Sequence, residues 1–94
     1  MTVQTMKDIS AALAAMKLQD WKMGDAWKAA HELAQAHEGE PRYDRLHALC
    51  HRIEGDLANA AYWYRRAGVE AFAGSLDAEA ESILGNPNAP GNRS

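Results

Sequence analysis

Apolar residues recur at helical spacing along most of the chain. In the first segment Ile9, Leu13 and Met16 lie three and four residues apart, which predicts a helix over residues 5–23. The alternation at period two that is typical of a half-buried strand is almost absent. The pattern therefore predicts an all-α protein.

Glycine, proline and aspartate divide the rest of the chain into further helices. Gly24 breaks the first helix and Asp25 is a candidate N-cap for the second, while Gly39 and Pro41 end it. Gly55 and Gly68 end the third and fourth helices, Asp56 caps the fourth, and Ser75 or Asp77 caps a short fifth. The predicted third helix runs over residues 41–54.

A repeat links the two halves of this pattern. Residues 24–36, "GDAWKAAHELAQA", align on residues 55–67, "GDLANAAYWYRRA", with five identities in 13 positions at an offset of 31 residues. The identities are a Gly-Asp pair and three alanines. Such self-similarity after a preceding helix is typical of a repeated helix–turn–helix.

The second copy resembles the turn and second helix of a tetratricopeptide repeat. That resemblance implies Gly-Asp at the turn, a small residue at Ala60, an aromatic at Tyr64 and a second small residue at Ala67. The period is shorter than the usual 34 residues, and the preceding helix has polar residues where large apolar ones are usual. The first copy has Ala29, Leu33 and Ala36 in the corresponding places.

These features predict a single helical domain over residues 1–85. We expect two antiparallel helical hairpins in a tetratricopeptide-like stack, followed by a short C-terminal helix. The last nine residues, 86–94, are rich in Gly, Pro and Asn, which predicts a disordered tail.

A second resemblance covers residues 21–76. The strings "HELAQ", "LHALCHRIEGDLANAAYWYRRAG" and "AGSL" are similar to an uncharacterised family of short bacterial helical proteins. This resemblance implies a shared fold and a shared site, but no reaction.

Charge and composition exclude several classes of partner. The net charge is −3, and no run of Lys or Arg provides the basic surface that nucleic acid requires. No apolar stretch approaches the roughly 20 residues that cross a bilayer, and the N-terminus lacks the features of a signal peptide. With Cys50 as its single cysteine, the chain is expected to be cytoplasmic.

Polar residues form a stripe beside the apolar face of the third helix. His47 and His51 are spaced to chelate one divalent metal, with Glu54 as a further ligand and His31 facing them from the second helix. Alternatively, Asp44–His47 and His51–Glu54 are local polar pairs on a half-exposed helix. From the sequence this structural interpretation is the stronger, so no cofactor is predicted and a divalent metal is the alternative.

The segment "YWYRR" and Trp27 carry more aromatic surface than one small core needs. Tyr62 and Trp63 cannot both be buried in one hairpin, unless the segment around Phe72 folds back over one of them. We therefore expect a protein-interaction or scaffold module that contacts a protein partner or a second copy through Trp27, Tyr62, Trp63 and Arg66. No catalytic motif is present, so the sequence argues against an enzyme without excluding one.

Overall fold

A computed structural model describes residues 2–85 of the chain. Over this range the protein is all-helical, without a strand, which confirms the predicted fold class. The predicted disordered tail, residues 86–94, lies outside the described residues. The helices are α1 (Val3–Leu18), α2 (Asp25–Ala36), α3 (Pro41–Glu54), α4 (Leu57–Ala67) and α5 (Leu76–Ile83).

Helix α1 differs from its predicted bounds at both ends. It begins at Val3, after the Thr2 hydroxyl accepts a hydrogen bond from the Thr5 amide at 3.1 Å. It ends at Leu18 instead of near residue 23. The cause is a turn in which Asp20 and Trp21 adopt left-handed backbone conformations, with φ of 56° and 57°. This turn folds the Trp21 ring back against the core.

The other helix ends follow local chemistry closely. Gly55 ends α3 with a left-handed φ of 88°, and the Asp56 carboxylate then caps α4 by accepting from the Asn59 amide at 3.1 Å. Ser75, one of the two predicted caps of α5, holds that position. The prediction for Asp25 was wrong, because it is the first residue of α2 and the preceding glycine is the N-cap.

The helices pack as two hairpins, α1 with α2 and α3 with α4, and the short α5 packs on α3. Helix α3 also packs against α2, so it is the central element of the described chain. Neighbours on several sides bury eight of its residues: Tyr43, Asp44, Leu46, His47, Ala48, Leu49, Cys50 and His51. Three polar residues of α3, Asp44, His47 and His51, are therefore held in the interior.

The two sequence repeats bury different faces. In α4 the small residue Ala60 and the aromatic Tyr64 are buried, as the tetratricopeptide resemblance implies. In α2 Ala29, which corresponds to Ala60, is exposed, and so is Ala36, which corresponds to Ala67. The buried alanines of α2 are Ala26, Ala30 and Ala34. Helix α2 is thus turned about its axis relative to α4, so the first copy does not use its alanines as the resemblance implies.

Of the helices within residues 2–85, none has the length and apolar character that spanning a membrane requires.

Candidate metal centre

Three histidines meet where α2, α3 and α4 come together. His47 and His51 project from α3, and His31 approaches them from α2. The Nε2 atoms of His31 and His47 are 3.1 Å apart, and one ring nitrogen from each of the three histidines lies within 4.8 Å of the others. The structure thus brings together the three histidines that the sequence proposed as ligands.

Two tryptophans enclose this cluster. Trp27 stacks on His31 with ring centroids 4.8 Å apart, and its indole N–H donates to the Cys50 carbonyl at 2.7 Å. Trp63 stacks on His47 at 3.9 Å. The Trp63 side chain is only 7% exposed, so it has almost no surface to offer a partner. Its predicted role as a surface contact is replaced by packing against the histidines.

The cluster is more deeply buried than the sequence suggested. His47 and His51 are 3% and 7% exposed, and Asp44 is fully buried, so the prediction of a half-exposed polar stripe was wrong. Helix α4 packs against α3 and covers the side of α3 that carries the histidines, which the spacing within α3 alone could not reveal. His31 is only partly buried, so the cluster reaches solvent on the α2 side.

The predicted local pairs are realised in one case out of two. His51 Nδ1 lies 2.7 Å from the Glu54 carboxylate, which can only accept, so Nδ1 is the protonated nitrogen in this contact and Nε2 is the one directed away from Glu54. Asp44 instead accepts from the Gly39 amide at 3.1 Å, and no hydrogen bond joins it to His47 in the described chain. Glu54 is therefore placed to orient His51, a common arrangement around protein-bound metals.

Burial also sets the charge of the cluster. Desolvation, with His31 and His51 as positive neighbours when protonated, lowers the pKa of His47 to about 4. Desolvation and then His51 lower the pKa of His31. Both rings are therefore neutral at pH 7. A neutral imidazole is the form that binds a metal, and the Nε2–H that one of these rings donates to the other has only to move to Nδ1 for both Nε2 atoms to bind one ion.

The remaining predicted contact residues lie on the surface. Tyr62 is 43% exposed, and its hydroxyl accepts a hydrogen bond from Arg66 Nη1 at 3.0 Å. The Arg66 guanidinium also lies over the Trp63 ring, 5.2 Å from its centroid. Tyr62 and Arg66 thus form one small exposed patch above the buried Trp63.

A second polar cluster, on the opposite flank of α3, was missed from the sequence. Arg52 Nη1 and the Tyr64 hydroxyl donate to the buried Glu79 carboxylate at 2.7 and 2.5 Å. Arg42 and Arg45 bond the Ile83 carbonyl and the Ser82 hydroxyl. The three arginines lie three and seven residues apart, a helical spacing that could have revealed a common face towards α5.

Comparison of the chain with models of known protein families, with curated proteins and with solved structures found no match.

Proposed function

We propose that this protein binds a divalent transition metal, preferably Zn²⁺, through His31, His47 and His51. The observation that carries the proposal is the 3.1 Å separation of Nε2 in His31 and His47. Two nitrogens about 2.0–2.1 Å from a tetrahedral Zn²⁺ are about 3.3 Å apart. A metal would thus replace the hydrogen bond between the two rings with little movement of either.

The third ligand and the outer contacts support the same site. His51 offers Nε2 while Glu54 holds its Nδ1–H, which fixes the tautomer that a metal needs. A ring nitrogen of His51 already lies within 4.8 Å of a ring nitrogen of each of the other two histidines, close enough for a side-chain adjustment to complete a three-nitrogen site. Three protein ligands leave the fourth position of Zn²⁺ to water, on the partly open His31 side.

The experiment is a titration of metal-free protein with Zn²⁺ by calorimetry. We expect one Zn²⁺ per chain, and a melting temperature that rises with Zn²⁺ and falls again with chelator. His31→Gln and His47→Phe should each weaken binding by more than about 100-fold, because loss of a ligand exceeds the effect of losing an outer contact.

His37→Gln is the matched control for these variants. His37 lies outside the cluster, stacked on Tyr43 at 4.1 Å, so the substitution removes an imidazole without touching the site. Binding by His37→Gln should equal that of the wild type. If Zn²⁺ gives no binding heat, or if His37→Gln weakens binding as much as His31→Gln, the proposal fails.

A protein-interaction module is our second candidate function. It is favoured by the exposed Tyr62–Arg66 patch and by Leu57, 66% exposed on the same helix. Burial of Ala60 and Tyr64 supports a tetratricopeptide-like arrangement of the second hairpin. We place such a module in the cytoplasm, where a single buried thiol is stable in reduced form.

Size-exclusion chromatography with light scattering tests self-association through this patch. Tyr62→Ala should lower the measured mass of any oligomer, whereas Leu18→Ala, which removes an exposed leucine from α1, should leave it unchanged. If the wild type is monomeric, the partner is a different protein and not a second copy of this chain. If an oligomer forms and Tyr62→Ala does not change its mass, the Tyr62–Arg66 patch is not the oligomer interface.

A further inference from the structure

A cavity of about 470 Å³ lies on the flank of α3 that faces away from the histidine cluster. Its walls come from α3, α4, α5 and the non-helical segment 69–74. This size is within the range of small-molecule sites in proteins. None of the three clustered histidines lines it, so its chemistry is independent of the proposed metal site.

The cavity wall contains a partly buried guanidinium without an acidic partner. Arg45 Nη2 donates to the Ser82 hydroxyl at 2.7 Å, whereas its Nε is buried and has no hydrogen-bond partner within the described residues. No carboxylate of residues 2–85 lies within ion-pair distance of Arg45. A partly buried guanidinium without a carboxylate partner is costly, so its place in the cavity wall favours an anionic acceptor from outside the chain.

The nearby carboxylates do not supply that acceptor. Glu79 lines the cavity, but its two oxygens accept from Arg52 and Tyr64. Glu70 also lines the cavity, and its side chain is exposed to solvent, where water screens it. Since Arg52 balances Glu79, the charge of Arg45 is the one left uncompensated inside.

The segment 69–74 adds apolar side chains to the wall. Phe72 is partly buried against Ala48, Ala60, Trp63 and Tyr64, and Val69 and Ala71 line the cavity from the same segment. A ligand would therefore meet a cationic, hydrogen-bonding end at Arg45 and Ser82 and an apolar end at the 69–74 segment. That combination suits a molecule with one anionic group and a compact apolar body.

We propose that this cavity binds a small organic carboxylate, with the carboxylate on Arg45 and Ser82 and the apolar body against Phe72. The planar guanidinium offers donors in a fork that matches the two carboxylate oxygens. The Arg45 Nη groups would supply these donors, because Nε has no surface that a ligand atom could reach.

Benzoate is the probe, and benzamide, of the same shape without the charge, is its control. In ¹⁵N–¹H correlation spectra of the full chain at pH 7, benzoate should shift the amides of residues 69–74 and Ser82 in a saturable manner. Benzamide at the same concentrations should not. Equal shifts from both compounds, or benzoate shifts confined to other surfaces, would overturn the proposal.

Variants identify the charge that is responsible. Arg45→Gln should weaken benzoate binding by at least about tenfold, because a charge-assisted contact is lost. Arg65→Gln makes the same change of charge on the exposed side of α4 and should bind as the wild type does. Glu70→Gln should tighten binding, because it removes a negative charge from the wall.

Equal weakening by Arg45→Gln and Arg65→Gln would show only a general charge effect and would refute the site. Circular dichroism melts establish that Arg45→Gln is folded; if it is not, the benzoate and benzamide comparison on the wild type decides alone. All measurements are made with chelator, so failure here leaves the zinc proposal standing, and failure to bind zinc leaves this one standing.

Discussion

Lowering the pH from 7 to 4 in the presence of chelator should destabilise the native state through His47. Its pKa is about 4 in the folded protein and 6.5 as the reference value for the unfolded chain. Between these values the unfolded state binds a proton that the native state does not. Stability should therefore fall as the pH drops through 6.5 and stop falling, for this residue, near pH 4.

The size of the effect follows from the shift. A difference of about 2.5 pKa units corresponds to about 3 kcal/mol, a large fraction of the stability of a small domain. His31, whose pKa is also lowered, acts in the same direction. Glu79 acts in the opposite direction, because burial raises its pKa and the native state then binds the extra proton as the pH falls. The contribution of His47 must therefore be measured as a difference.

Urea unfolding followed by circular dichroism at pH 7, 6, 5 and 4 gives that difference. His47→Phe keeps a ring between Trp63 and His31 but cannot titrate. The free energy of unfolding of the wild type should fall by about 3 kcal/mol more than that of His47→Phe over this range. The control His37→Gln, outside the cluster, should follow the wild type. Parallel curves for the wild type and His47→Phe would refute the assignment of a neutral, buried imidazole.

Three further predictions concern single residues. Glu54→Gln should weaken Zn²⁺ binding about 10–100-fold in calorimetry, since it loosens His51, while Glu38→Gln should not; equal affinities would remove Glu54 from the site. Ala30→Leu should lower the free energy of unfolding in urea by about 1–3 kcal/mol, because Ala30 is only 1% exposed and the core has no room for a larger side chain. Ala29→Leu, at an exposed position, should change it little. The reverse order would mean that the other face of α2 is buried. Burial raises the pKa of the Cys50 thiol to about 12. At pH 8 this thiol should therefore react with an aromatic disulfide reagent only as fast as the protein unfolds locally around it. Rapid labelling of the native protein would contradict its burial.

Most of the fold could be predicted because helix ends depend on local chemistry. The left-handed glycine at Gly55 and the side-chain caps at Asp56 and Ser75 act within a few residues, so they can be recognised in the sequence. The end of α1 could not be, because Trp21 reaches a left-handed conformation only where its ring packs on the distant core. Its indole N–H donates to Asp77, 56 residues away.

The sequence could predict which histidines form the candidate site, but not how deeply they are buried. Helical spacing joined His47 to His51, and their placement about the turn before α3 suggested His31 as a neighbour. Their burial depends on how α4 lies across α3, which the spacing within one helix does not determine. For the same reason the sequence predicted Trp63 as a partner contact, whereas the structure stacks it on His47.

The two tryptophan stacks give the cluster an optical consequence. Trp27 and Trp63 each lie against a histidine of the cluster, whereas Trp21 lies elsewhere, against Asp77. An excited indole transfers an electron readily to an adjacent imidazolium or to an open-shell metal ion, but not to a filled-shell ion such as Zn²⁺. The intrinsic fluorescence of this protein should therefore be quenched by Cu²⁺ and by acid but not by zinc, with Trp21 contributing a constant background.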